Sequence, residues 1–144
     1  MLSSIKHIAN LINIVGLERE DRSLVFYSEG KNYWAHLKGL VQAILAESDQ
    51  AICYLTSSSE DPGLSLKHQN FKAFNIGEHY SRDWLFANIE ADVLVMTTPD
   101  LHQYQVKRSR HRVHYVYVQH SLVSLHMVYR PGAFEHYETI MCAG

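Results

Sequence analysis

Short apolar runs that alternate with segments of helical periodicity constrain the fold of this chain most strongly. Apolar residues recur at helical spacing over 32–47, and a further helix is predicted over 78–91. The runs predicted as strands are 24–27, 51–56, 71–76, 92–98, 113–119 and 138–144. Apolar strands that alternate with helices are typical of a parallel sheet covered on both faces. We therefore expect an α/β, Rossmann-like fold with about six parallel strands and helices on both faces.

Length and composition predict one globular domain over residues 1–144. The net charge of −2 gives no indication of a nucleic-acid partner. Cys53 and Cys142 lie in apolar runs, so we expect two buried free thiols in a reducing compartment. No apolar run is long enough to cross a bilayer, and polar residues interrupt the first segment where a signal peptide would be apolar. We expect a cytoplasmic protein, in contact at most with the inner face of the plasma membrane.

Residues 1–16 are predicted to contain an amphipathic helix. Its apolar face carries Ile5, Ile8, Ile12 and Val15, and Gly16 can end it. We expect this helix to pack on the domain. Docking to a membrane or to a partner is the alternative, although the polar face is too weakly basic to favour a membrane.

Polar residues directly follow three of the predicted strands, and they are the first candidates for a site. In the common strand order 3-2-1-4-5-6, strands one, four and five are neighbours, and ligands bind beyond the carboxyl ends of such strands. The candidates for substrate binding or catalysis are Ser28, Glu29, Gly30, Thr97, Thr98, Asp100, Gln119, His120 and Ser121. The turn at 28–32 could hold a phosphate on its N–H groups, but a plain turn with Asn32 capping the next helix is favoured.

A basic stretch precedes the fifth strand and contains Lys107, Arg108, Arg110 and Arg112. It is interpreted either as a solvated connection or as a patch for an anionic acceptor or lipid surface. The close histidine pairs, such as His111 with His114, lack a cysteine or carboxylate at ligand spacing. We therefore expect neither a metal nor another cofactor.

The segments "TTPDLHQYQVKRS" and "HYVYVQHSLVSLHMVYRPGAFEHYETIMCAG" resemble the CDP-glycerol glycerophosphotransferase family, which includes the teichoic-acid polymerases and primases. The resemblance spans about 22–144, is strongest from 92 onward, and is supported by "SEGKNYW". It implies a GT-B architecture of two Rossmann-like halves facing a cleft. This chain would be the N-terminal, acceptor-side half, and CDP-glycerol would be held mainly by the other half.

The resemblance also implies a role for His120, which matches the histidine of a His-Gly motif at the end of a strand. Here Ser121 replaces the glycine. The implied activity is transfer of glycerol phosphate from CDP-glycerol to a hydroxyl of a lipid-linked polymer, with His120 as base or phosphate ligand. Because Gly144 follows a strand where a βαβ fold would turn into a helix, we expect a further domain and an inactive 144-residue chain.

Two other functions fit the same sequence pattern. One is a stand-alone Rossmann-like binding or regulatory domain without catalysis. The other is half of a different GT-B glycosyltransferase or of an epimerase, because fold alone does not choose among these activities.

Overall fold

The computed structural model describes residues 2–99, 107–119 and 132–142. Within them, six strands form one sheet of order β3-β2-β1-β4-β5-β6, and every neighbouring pair is parallel. The strands are β1 Leu24–Ser28, β2 Ile52–Thr56, β3 Phe71–Asn75, β4 Val93–Met96, β5 His114–Val118 and β6 Thr139–Met141. The predicted strand number, direction and order are confirmed.

Three helices cover the sheet in the described part of the chain: α1 Leu2–Val15, α2 Trp34–Glu47 and α3 Tyr80–Asn88. One apolar cluster joins α1 and α3 to one face of the sheet, through residues such as Ile14, Phe86 and Tyr27. A second cluster joins α2 to the opposite face, with Leu37 against Phe26. Helices therefore lie on both faces, as predicted. None of the described helices has the length and hydropathy that crossing a bilayer requires.

The registers set the carboxyl ends of β1, β4 and β5 side by side. Tyr27 pairs with Met96, and Met96 pairs with Tyr117. The residues that follow these strands therefore emerge at one edge of the sheet, which we call the carboxyl edge. The opposite edge, where the strands begin, is the amino edge.

Helix α1 packs on the domain as predicted, but not through its apolar stripe. Ile5, Ile8, Ile12 and Val15 are 54–67% exposed, and the helix packs through a different side. On that side Ile14 is buried, and the Asn10 side-chain amide donates to the Asn75 carbonyl over 2.7 Å. The orientation of α1 is thus set by a specific polar contact at the end of β3 together with one buried isoleucine, and the more apolar stripe faces outward.

Two smaller predictions also need correction. Helix α2 begins after Tyr33 rather than with a side-chain cap from Asn32, because backbone bonds from Tyr33 N–H to the Gly30 carbonyl and from His36 N–H to the Tyr33 carbonyl hold the turn. Cys53 is buried as expected, but Cys142 is exposed. It follows β6, an edge strand whose residues are all exposed.

Candidate functional site

Most of the described residues that the sequence predicts for substrate binding or catalysis lie together at the carboxyl edge. Ser28 ends β1, Thr97 and Thr98 follow β4, and Gln119 follows β5. Glu29 and Gly30 continue from β1 at the same edge. The remaining nominated residues, Asp100, His120 and Ser121, lie outside the described part of the chain.

Glu29 is a partly buried acidic residue of this edge. Burial raises the pKa of its carboxyl group, while the Thr98 hydroxyl, the Arg82 charge and the Tyr33 hydroxyl each lower that pKa. The effect of burial is larger, so the pKa of Glu29 lies above its ordinary value. A carboxyl group in this state can accept a proton, or share a hydrogen bond with a ligand hydroxyl, closer to neutral pH than an exposed glutamate.

Two threonine hydroxyls at this edge lack ordinary hydrogen bonds. Thr97 is fully buried and Thr98 is 8% exposed. Neither Oγ1 atom has a hydrogen-bond partner of ordinary geometry among the described residues, although the Thr98 hydroxyl is close enough to Glu29 to influence its carboxyl group. Buried polar atoms without partners are uncommon in folded proteins, and each calls for an explanation such as a bound ligand or water.

Arg82 supplies a positive charge behind the same edge, and the sequence reasoning missed it. It lies in the first turn of α3 and is 9% exposed. Its guanidinium contacts the Tyr27 hydroxyl, which in turn shares a 2.7 Å hydrogen bond with the Ser57 hydroxyl. A usable signal was present, because helices that follow parallel strands begin at the edge where those strands end. A polar residue in the first turn of such a helix, as Arg82 is, therefore lies at the same edge as the residues that follow the strands.

The turn after β1 is closed by its own hydrogen bonds. The Ser28 hydroxyl donates to the Gly30 carbonyl over 2.8 Å and accepts from the Gly30 N–H over 3.4 Å. The Lys31 ammonium pairs with Glu60 at 3.0 Å. These contacts favour the plain-turn interpretation over a phosphate cradle, because the Gly30 N–H already has a partner.

The basic stretch lies away from this site, at the amino edge. It precedes β5, and the Arg110 N–H donates to the carbonyl of Ala87 near the end of α3. Lys107, Arg110 and Arg112 are exposed. The structure therefore does not bring the basic residues next to Glu29.

Arg108 differs from its basic neighbours because its side chain is engaged within the protein. The guanidinium lies 4.7 Å from the centre of the Tyr115 ring, donates to the His136 carbonyl over 2.9 Å and pairs with Glu138. Burial alone would raise the pKa of Glu138, but the Tyr115 N–H and Arg108 outweigh it and hold that pKa below its ordinary value. Arg108 thus fastens the segment to β5 and the residues before β6.

In the ranges 2–99, 107–119 and 132–142, no group of three or more histidine, cysteine or acidic side chains is arranged to hold a metal ion. His114, one of the paired histidines, shares a 2.7 Å hydrogen bond with the Thr139 hydroxyl. In comparisons with known proteins, no family model, no curated protein and no solved structure matches this chain.

Proposed function

We propose that this chain is the N-terminal, acceptor-side domain of a transferase that moves glycerol phosphate from CDP-glycerol to a hydroxyl of a membrane-linked cell-surface polymer. The observation that carries the proposal is a polar cluster at the carboxyl edge, in which Arg82, Thr97 and Thr98 are buried and Glu29 is partly buried. It lies where β1 meets β4, the point at which the strand order reverses. Ligands of open parallel sheets bind at such points.

The proposed reaction is a displacement at phosphorus. The acceptor hydroxyl oxygen forms a bond to the β-phosphorus of CDP-glycerol, the bond from that phosphorus to the bridging oxygen breaks, and CMP leaves. His120, which follows Gln119 in the sequence, takes the proton of the hydroxyl as general base. An imidazole with an unperturbed pKa of about 6.5 suits this role near neutral pH.

The described residues of the carboxyl edge would hold the acceptor in this reaction. The unpaired Thr97 hydroxyl can donate to an acceptor oxygen, and Glu29 can accept from an acceptor hydroxyl. The buried Arg82 charge offsets part of the negative charge that the phosphate brings. Most contacts with CDP-glycerol are assigned to a second domain, as the family resemblance implies.

The decisive experiment measures CMP release from CDP-glycerol by the complete two-domain protein, with a glycerol-phosphate-terminated acceptor. His120→Ala should lower turnover by about 10²-fold or more if the imidazole is the general base. The matched control is His114→Ala, which removes the exposed histidine at the start of β5 and should leave turnover unchanged. Unchanged turnover in His120→Ala removes that residue from the mechanism. A parent protein that releases no CMP overturns the transferase proposal in favour of a binding domain.

Calorimetry on the 144-residue chain tests the division of labour between the domains. We expect only weak binding of CDP-glycerol, because the donor contacts are assigned elsewhere. Micromolar binding by this chain alone would instead place the donor site at its own carboxyl edge.

We also propose peripheral contact with the anionic inner face of the plasma membrane through the exposed Lys107, Arg110 and Arg112. A strand of five residues separates the two edges by about 17 Å, so the acceptor polymer, rather than its lipid anchor, would reach Glu29. Changing the three basic residues to glutamine should weaken binding to anionic vesicles, most strongly at low salt. Arg108→Gln would instead test how firmly the segment is fastened to β5, because that side chain pairs with Glu138. Equal vesicle binding by the triple variant and the parent would indicate that the basic stretch is a solvated connection instead.

A further inference from the structure

The outward side of α1 is an apolar surface that the described part of the chain leaves uncovered. Leu2, Ile5, Ile8, Ile12 and Val15 are 78%, 58%, 54%, 67% and 56% exposed. Single exposed apolar residues are ordinary, but a contiguous row of five along one helix marks a surface for interaction. We call this row the α1 stripe.

The α1 stripe borders a groove between α1 and α3. The groove has a volume of about 340 Å³ and is lined by Ile8, Leu11, Ile12, Val15 and Trp84. Trp84 is itself 52% exposed and forms one wall. A groove beside a row of protruding side chains accepts a ridge of similar shape, such as the side chains of another helix.

The spacing within the α1 stripe is that of a coiled-coil seam. From Ile5 to Ile8, Ile12 and Val15 the steps are three, four and three residues, which are successive a and d positions of a heptad. Such a narrow stripe is typical of packing between two helices. A helix that lies in a membrane interface instead needs a broad apolar face opposite a strongly basic one, and α1 contains Lys6 as its single lysine or arginine.

We infer that the α1 stripe pairs with the α1 stripe of a second copy of this chain, in antiparallel orientation. A two-fold axis midway between Ile8 and Ile12 sets Ile8 of one copy against Ile12 of the other, and Ile5 against Val15. Two-fold pairing of one surface with itself is the commonest form of assembly. This inference is independent of the proposed transferase function.

Charge favours the antiparallel orientation over the parallel one. Lys6 lies near the start of α1, and the exposed Glu18 follows its end. Antiparallel pairing brings each Lys6 towards the partner's negative helix end and the acidic residue beyond it. Parallel pairing would instead place like charges together.

The exposed area is large enough for a dimer. Seven exposed apolar side chains lie on α1 and α3, and each offers on the order of 100 Å², so one copy contributes about 700 Å². Specific interfaces bury about 800 Å² per partner. The residues are Leu2, Ile5, Ile8, Ile12, Val15, Tyr80 and Trp84.

Sedimentation equilibrium across the micromolar range tests the inference. The parent chain should reach twice its 16.6 kDa mass. Ile12→Glu should raise the dimer dissociation constant at least about tenfold, because it buries a charge in the seam. The matched control, Asn13→Glu, adds the same charge about 100° around the helix and should leave the constant unchanged. Both positions are exposed, so circular dichroism should show an intact fold.

Cross-linking tests the orientation, in a Cys142→Ser background that removes the exposed native thiol. A mixture of Ile5→Cys and Val15→Cys proteins should form a disulfide-linked dimer that neither protein forms alone. Cross-linking of each protein alone to the same extent overturns the antiparallel arrangement.

Three results overturn self-association through the α1 stripe. The first is a monomeric parent at every concentration, and the second is an Ile12→Glu protein that dimerises as the parent does. The third is a monomer that binds neutral phosphatidylcholine vesicles and loses that binding on Ile12→Glu, which would assign the stripe to lipid.

Discussion

Replacing Thr97 with valine should stabilise this protein, although most substitutions in a core destabilise. The Thr97 side chain is fully buried, and its hydroxyl has no hydrogen-bond partner among the described residues. Valine has nearly the same shape and carries no hydroxyl, so Thr97→Val removes the unpaired polar atom without leaving a cavity. The expectation is a gain in the free energy of unfolding together with a loss at the carboxyl edge.

The magnitude follows from the cost of burying an unpaired hydroxyl. That cost is about 1–3 kcal/mol, and partial compensation by nearby polar groups at this edge favours the lower end. A gain of about 1 kcal/mol, with a urea m-value of about 2 kcal/mol/M, moves the unfolding midpoint upward by about 0.5 M. Urea unfolding followed by circular dichroism resolves such a shift.

Thr56→Val is the matched control. Thr56 is also fully buried, at the end of β2 in the same sheet, but its Oγ1 accepts from the Ser58 N–H over 3.2 Å. The same substitution there should lower the free energy of unfolding by about 1 kcal/mol, because it leaves a donor unpaired. If Thr97→Val destabilises as much as Thr56→Val, the Thr97 hydroxyl is satisfied in the folded protein, and the reasoning that makes it a ligand-binding group fails.

Three further predictions follow from single residues. Burial raises the pKa of the Cys53 thiol to about 12, whereas Cys142 is exposed. At mildly alkaline pH, dithiobis(nitrobenzoate) should therefore label Cys142 quickly and Cys53 only when the protein unfolds. Fast labelling of both thiols in the native protein would contradict this. The pKa of Glu138 is lowered in the folded protein, so its ionised carboxylate stabilises the fold fully above the ordinary value of 4.5, and this contribution is lost as the pH falls through the folded pKa. As the pH is lowered from about 6 to 3, the urea midpoint should therefore fall more steeply for the parent than for Glu138→Gln. Parallel curves would show that Glu138 makes no such contribution. Gly77→Ala should lower the free energy of unfolding by about 1–3 kcal/mol, because the backbone φ of Gly77 is +69° and an added Cβ would lie 2.3 Å from the His7 Nδ1 atom. In the matched control Gly39→Ala, the added Cβ meets no atom within 4 Å, so this substitution should not destabilise the protein.

The fold could be predicted from sequence because the sheet is covered on both faces. Strand segments such as 24–28 and 52–56 are buried at nearly every residue, and that leaves a continuous apolar run in the sequence. Once the strands alternate with helices, right-handed crossovers and a common strand order restrict the topology to few choices. The candidate edge followed from that topology, since Ser28 and Thr97 end neighbouring strands.

The direction in which α1 faces could not be predicted in this way. An apolar stripe shows which side of a helix avoids water, but not whether the cover comes from the same chain. In α1 the stronger stripe, with Ile8 and Ile12, faces outward, while the side with Asn10 and Ile14 faces the sheet. A pattern of apolar residues cannot register the amide of Asn10 meeting the Asn75 carbonyl, which depends on tertiary position.

Two arginines, Arg108 at the amino edge and Arg82 at the carboxyl edge, show why position decides more than residue type. Arg108 belongs to a basic run that the sequence made conspicuous, yet its guanidinium is held by a ring, two carbonyls and Glu138, and so serves the structure. Arg82 stands apart from the other basic residues in the sequence, yet the start of α3 places it at the edge where Glu29 is partly buried and the Thr97 hydroxyl is unpaired. Burying such polar groups costs stability, and a chain retains them where a ligand supplies the missing partners. Substitutions at the carboxyl edge are therefore expected to affect ligand binding or activity most.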